Sequence, residues 1–207
     1  FDPNTYTLNL RNFQMGTIGT KISALFDKYS LFGLIYVDTG VHDLTIRLEG
    51  KESYLGDEEF PNENCTKYKE AYYGIYAPST NLTITGNRGA ILKIYTHENA
   101  IECKNLTIKD SVTVEGVSQG TCIYACGDIT IDGMGTIVNA RTTDIIKGQA
   151  AVSTRGKLYV GESSRLITSS VAKSSSWERV GFFHNLPDTN YILSLIHISE
   201  PTRLDVI

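Results

Sequence analysis

Three aspartates within one stretch, Asp110, Asp128 and Asp132, are the residues best placed for acid–base chemistry. Cleaving a glycosidic bond needs carboxylates as a set, one to protonate the leaving oxygen and another to activate water. Each of these three instead ends a short apolar alternation, where Asp bonds its own backbone and closes a turn. They read as turn residues. His42 and His97 lie in polar breaks without the spacing of a metal pair, and a surface or turn role fits both. The acidic run Asp57-Glu58-Glu59 supplies oxygen ligands of the kind calcium takes. It lacks the alternating Asp spacing of a dedicated loop, so a solvated acidic loop is the plainer reading.

The cysteines are Cys65, Cys103, Cys122 and Cys126. Their spacing fits neither a zinc ribbon nor a small disulfide scaffold. Two readings stay open: small buried hydrophobes, or a bridge joining Cys103 to Cys122 or Cys126. The strongest binding signal is aromatic. Tyr36, Tyr76 and Tyr124 stand at matching places in three similar phrases, and flat rings on a flat face can stack on sugar rings. Thr83, Thr107 and Glu102 flank them and can bond sugar hydroxyls. The plainer reading is that tyrosine suits a strand surface.

What positions these residues is a repeat. The first apolar residue of the recurring phrase is Leu44 in DLTIRLEG, Leu82 in NLTITG, Leu106 in NLTIKD, Ile129 in DITIDG and Leu158 in KLYVGE. The steps are 38, 24, 23 and 29 residues. Each unit holds three short period-two runs, such as GIYA, NLTIT and AILKIY, parted by Gly, Asn, Asp, Ser or Pro. Alternation of that length, rich in β-branched residues, predicts strands with one buried face. One unit cannot bury its own apolar side, whereas stacked units bury a continuous column.

The fold expected is all-β: a right-handed parallel β-helix with three short strands per turn and four to five turns. Leu82 and Ile84 should stack on Leu106 and Ile108, then Ile129 and Ile131, then Leu158 and Val160. Thr45, Thr83, Thr107 and Thr130 should run outside, continued by Tyr159. Ile75, Ile101 and Ile123 should point in, and Tyr76, Glu102 and Tyr124 out.

The chain divides into an N-terminal strand and cap over 1–32, the repeats over 33–172, an irregular segment over 173–193, and a tail over 194–207. Thr5–Phe13 reads as an edge strand or cap. Apolar residues at 18, 22, 25, 26 and 29 predict a short capping helix over 18–31. The polar stretch 51–70 predicts an insertion loop. The tail contains SLIHISEPTR, which resembles a translated sequencing adapter of the kind found at broken ends of metagenomic gene models, and is read as non-native.

The 207 residues carry a net charge of −4 with no basic stripe, which argues against nucleic acid as a partner. No apolar run is long enough to span a membrane as a helix. The chain starts at Phe1 without Met and is read as a fragment of a larger protein.

The phrases GIYA…NLTITG and IYACGDITIDG, with the opening DPNTYTLNLRNF and the run LIYVDTGVHDLTIRLEG, resemble the carbohydrate-binding, pectate-lyase-like β-helix domains of secreted and surface proteins from Clostridia and relatives. The resemblance covers about Asp2 to Ser170. It implies an extracellular or cell-surface module without catalysis, a monomeric segment of a larger bacterial surface protein. Its implied partner is acidic plant polysaccharide such as polygalacturonate. Calcium is the one ion it suggests, and no cofactor is required. This chain has fewer glycines than that pattern, and Glu102, Cys103 and Tyr159 replace its usual small or Thr-like residues.

Two alternatives stand beside this reading: a structural or adhesive spacer, and an incomplete polysaccharide lyase. β-Helical pectin hydrolases carry N-T-D and D-D signatures near a G-x-H, and no usable set of these occurs. A lyase needs an arginine base facing calcium-binding acids. Arg88, Arg141, Arg155 and Arg165 are expected at turns of successive units, with none singled out.

Overall fold

A computed structural model describes residues 1–16, 20–22, 31–56, 71–143, 150–170 and 182–184. Among these the regular structure is all strand, gathered into two sheets of 11 and 6 strands. The first sheet runs Thr7–Arg11, Asp43–Glu49, Ala71–Gly86, Ile101–Ile108, Ile123–Ala125 with Ile129–Ile131, then Val152–Thr154 with Leu158–Val160, and Phe182–His184. The second runs Gln14–Met15, Glu52–Gly56, Ile91–Thr96, Thr113–Ser118, Ile137–Thr142 and Arg165–Ser170. All the ladders along these two paths are parallel. The chain visits the sheets alternately, so each strand pairs with its counterpart one repeat later.

The register follows the repeat read from sequence. Leu44 lies opposite Leu82, Leu82 opposite Leu106, Leu106 opposite Ile129, and Ile129 opposite Leu158. Two residues on, Ile46, Ile84, Ile108, Ile131 and Val160 form a second column. Ile75, Ile101, Ile123 and Val152 form a third. Period two forces these residues to one face, and that face is the core: Ile46, Ile75, Ile84, Ile101 and Ile108 are fully buried. Each such side chain stabilises the fold by about 1.5–3 kcal/mol relative to exposure. The columns weaken at the last repeat, where Leu158 and Val160 are only partly buried.

The second sheet closes the same core with Leu92, Val114, Val138 and Leu166 in register. Its neighbouring inward column narrows from Leu55 and Ile94 to Gly116 and Ala140. Cys122 fills the space. A Cβ on Gly116 would run into the Cys122 Sγ, so the small residue and the buried thiol are one packing solution. Cys103 is likewise buried, opposite Ala77 and Ala125.

Backbone corners are tied by a side-chain ladder. Asn81 Nδ2 donates to Asp43 Oδ1 at 2.9 Å, and Asn105 Nδ2 to Asn81 Oδ1 at 2.8 Å. Asn105 Oδ1 then accepts from the Asp128 amide, and Asp128 Oδ1 from the Lys157 amide, both at 2.7 Å. Each amide side chain thus donates one way and accepts the other, which couples the repeats along the stack.

Three expectations need correction. Residues Thr20–Ile22 form a strand antiparallel to Leu31–Gly33 rather than part of a capping helix; residues 18–19 and 23–30 of that expected helix lie outside the described residues. The stretch expected as a loop over 51–70 begins with the strand Glu52–Gly56, because Ser53 and Leu55 alternate inward to fill the core. Of the two cysteine readings the buried one holds for Cys103 and Cys122, which are free thiols packed in the core; Cys126 is a free, exposed thiol, and Cys65 lies outside the described residues. The segment 173–193, expected to be irregular, contributes the strand Phe182–His184 to the first sheet. The tail 194–207 lies outside the described residues.

Candidate functional site

Outward residues of the first sheet form a column beside the buried isoleucines. Tyr36 lies opposite Tyr76, Tyr76 opposite Glu102, Glu102 opposite Tyr124, and Tyr124 opposite Ser153. The three tyrosines expected to be equivalent are therefore brought onto one line, with Glu102 inside it. Parallel pairing sets successive members of this line one strand spacing apart, about 4.8 Å, so Tyr76 and Tyr124 stand two spacings apart across Glu102.

The rings are organised. Tyr36 and Tyr76 lie within 11° of parallel with centroids 6.2 Å apart. Tyr73, three residues earlier on the same strand, packs its ring 4.8 Å from that of Tyr76 at 58°. Tyr36 is 40% exposed, while Tyr76 and Tyr124 are half-buried. Burial raises the phenol pKa of Tyr73 and Tyr76, so both stay neutral hydrogen-bond donors at ordinary pH. Tyr124 is raised chiefly by burial, and next by its contact with Cys126, whose Sγ lies 3.9 Å from the phenol oxygen.

Glu102 is half-buried among these rings. Its Oε2 accepts from Asn99 Nδ2 at 2.8 Å. Burial lifts its carboxyl above the ordinary glutamate range, Glu98 adds to the rise, and the Asn99 bond opposes it. The face thus offers neutral rings, phenol donors and one carboxylate.

The threonine column lies past the corner at Ala77–Asn81. Thr7, Thr45, Thr83, Thr107 and Thr130 run in register and end at Tyr159, which is 55% exposed. Thr83 and Thr107 are half-buried there, separated from the tyrosine line by the Asn81–Asn105 ladder. They extend a polar flank rather than joining the ring cluster.

The remaining sequence candidates sort out as follows. Asp110 accepts from Thr85 Oγ1 at 2.5 Å in a left-handed turn, φ 66°. Asp132 Oδ1 accepts from the Gly133 amide at 2.8 Å, and Asp128 belongs to the ladder. All three are committed to turns. Arg141 stands on a strand, and Arg165 begins one, rather than at the expected turns. His97 Nδ1 lies 3.8 Å from Glu98 Oε1. Asp57, Glu58 and Glu59 lie outside the described residues. Among the described residues no group of three or more His, Cys, Asp and Glu is arranged to hold a metal, and no helix is long and apolar enough to cross a membrane.

A second outward face escaped the sequence reading. On the second sheet Tyr54, Lys93, Glu115, Asn139 and Ile167 share one column, and Tyr95, Val117, Arg141 and Ser169 the next. Lys93 Nζ lies 2.5 Å from Glu52 Oε1, 3.4 Å from the Tyr54 hydroxyl and 5.1 Å from the Tyr54 ring centre. A shallow groove of about 300 Å³ opens beside Tyr95, Glu115, Asn139, Arg141 and Ile167. The only available signal was position: these residues alternate with Leu92, Val114 and Val138, but share no residue type. No family model, curated protein or solved structure matches the chain.

Proposed function

We propose that the chain is a right-handed parallel β-helix that binds polysaccharide along the tyrosine column of its first sheet, as a non-catalytic module of an extracellular or surface protein. Strands that alternate between two sheets, each pairing in parallel with its counterpart one repeat later, are what a solenoid requires. The hand follows from the preference of parallel connections.

The observation that carries the binding role is the alignment of Tyr36, Tyr76, Glu102 and Tyr124, with two of the rings nearly parallel. Sugar rings present apolar faces to such aromatics and hydroxyls to flanking polar groups. A linear array suits a linear polymer, since successive sugars meet successive side chains and weak contacts add. The family resemblance supports the same class of partner. It suggests an acidic chain such as polygalacturonate, with calcium between sugar acid and protein carboxylate.

The test is binding of the chain to an array of plant and microbial polysaccharides, with and without chelator, repeated with the Tyr76→Ala/Tyr124→Ala double variant. The proposal expects retention of at least one polysaccharide class and its loss in the variant. Retention unchanged by the double substitution would move the site elsewhere. No binding to any glycan would leave the structural or adhesive spacer as the better reading.

A further inference from the structure

Glu102 presents a charge that the fold leaves without a counterion. It sits in register between Tyr76 and Tyr124, half-buried, with Oε2 bonded to the neutral Asn99 side chain. Among the described residues no Lys, Arg or His forms an ion pair with it. The groups that act on it electrostatically add to the problem. Glu98 is a second acid, and His97 stands by Glu98 rather than by Glu102. The neighbouring phenols are Tyr73, Tyr76 and Tyr124, and the nearby cation Arg155 acts on Tyr124. On the second sheet the equivalent problem is solved internally, with Lys93 held against Glu52 and the Tyr54 ring.

An unpaired carboxylate withdrawn from water is unfavourable until a cation joins it. Aromatic rings attract cations over their faces. Carboxylate and rings together are the components of an ammonium-binding site. Building on the polysaccharide-binding reading above, we infer that the sugar chain selected by this column carries protonated amines, as a glucosamine polymer does. The amine sits at Glu102, with its sugar ring against Tyr76 or Tyr124. An acidic chain without a bridging calcium would instead set its carboxylates against Glu102 and Glu98, like charge to like, which is why the galacturonate arm of the test carries calcium.

Calorimetric titration of the chain with glucosamine oligomers, their N-acetylated counterparts, and galacturonate oligomers with calcium tests this. The amine form should bind about tenfold tighter than the acetylated form. That preference should vanish as pH rises through the amine's own titration, and persist for a trimethylated amine, which keeps its charge. Glu102→Gln should bring the two affinities together by weakening only the amine form. The pH and acetylation comparisons need no variant, so they stand even if that substitution perturbs folding. Equal affinity for amine and acetylated oligomers, or tighter binding of the galacturonate, overturns the inference while leaving polysaccharide binding intact. Failure of all three to bind overturns the inference, while the polysaccharide-binding reading falls only if the wider array binds nothing either.

Discussion

The two outward faces are built on one core and use their polar residues in opposite ways. On the second sheet Lys93, Glu52 and Tyr54 satisfy one another within 3.4 Å. Each group raises or lowers its neighbour's proton affinity so that the charged pair is favoured, and the lysine is held protonated far above its usual range. On the first sheet Glu102 has only Asn99, and burial pushes it toward its neutral form. Charges that complete each other inside the protein have little left for a ligand. A charge that does not is where a ligand adds most. The ring geometry differs in the same sense: Tyr54 is covered by Lys93, whereas Tyr36 and Tyr76 lie parallel with Tyr36 substantially exposed.

The inward columns of the two sheets pack into one core, so the comparison breaks first there. Ile108 is fully buried between Ile84 and Ile131. Ile108→Ala should cost about 2–5 kcal/mol by chemical denaturation and lower the stability of both faces in one transition. Two separate transitions would mean the sheets do not share a core. The corner ladder carries the next largest effect. Asn105→Ala removes its bond to Asn81 and leaves the Asp128 amide without its acceptor, so a loss of about 1–3 kcal/mol is expected. A variant as stable as the parent would show that the ladder adds nothing to coupling between repeats.

The smallest effect is set by proton linkage at Glu102. A carboxyl whose folded pKa lies above its unfolded value binds more protons when folded. Its stability contribution is complete below the ordinary glutamate pKa and is lost as pH rises through the folded one. Glu102→Gln should therefore melt slightly higher than the parent at neutral pH, with the gap closing as pH falls below the ordinary value. A gap that widens toward acid would mean that the ionised carboxylate is the favoured form in the fold.

Most of the inward architecture was legible because one physical rule fixes it. Strand residues alternate sides, and a column must be filled at each repeat, so Leu82, Leu106 and Ile129 had to recur. The ladder was legible too, though overlooked: the residue before each apolar pair is Asp43, Asn81, Asn105, Asp128 and then Lys157. The tyrosine line could be found because its members share a type. Lys93, Glu115, Asn139 and Ile167 share a column and nothing else, since an outward face is not constrained by packing. The strand Glu52–Gly56 was hidden because only Ser53 and Leu55 turn inward, and a serine is a weak apolar signal. Spacing suited to a helix near Ile18 was overridden at Thr20–Ile22 by antiparallel pairing with Leu31–Gly33, which helical periodicity cannot reveal.

The contrast between the faces is tested most directly by titrating one bound polysaccharide into two double variants side by side. Tyr76→Ala/Tyr124→Ala strips the first face, and Tyr54→Ala/Lys93→Ala strips the second. The account predicts a loss of tenfold or more for the first pair, since two aromatic contacts disappear, and a change under about twofold for the second. Equal losses, or a greater loss from the second pair, would contradict it.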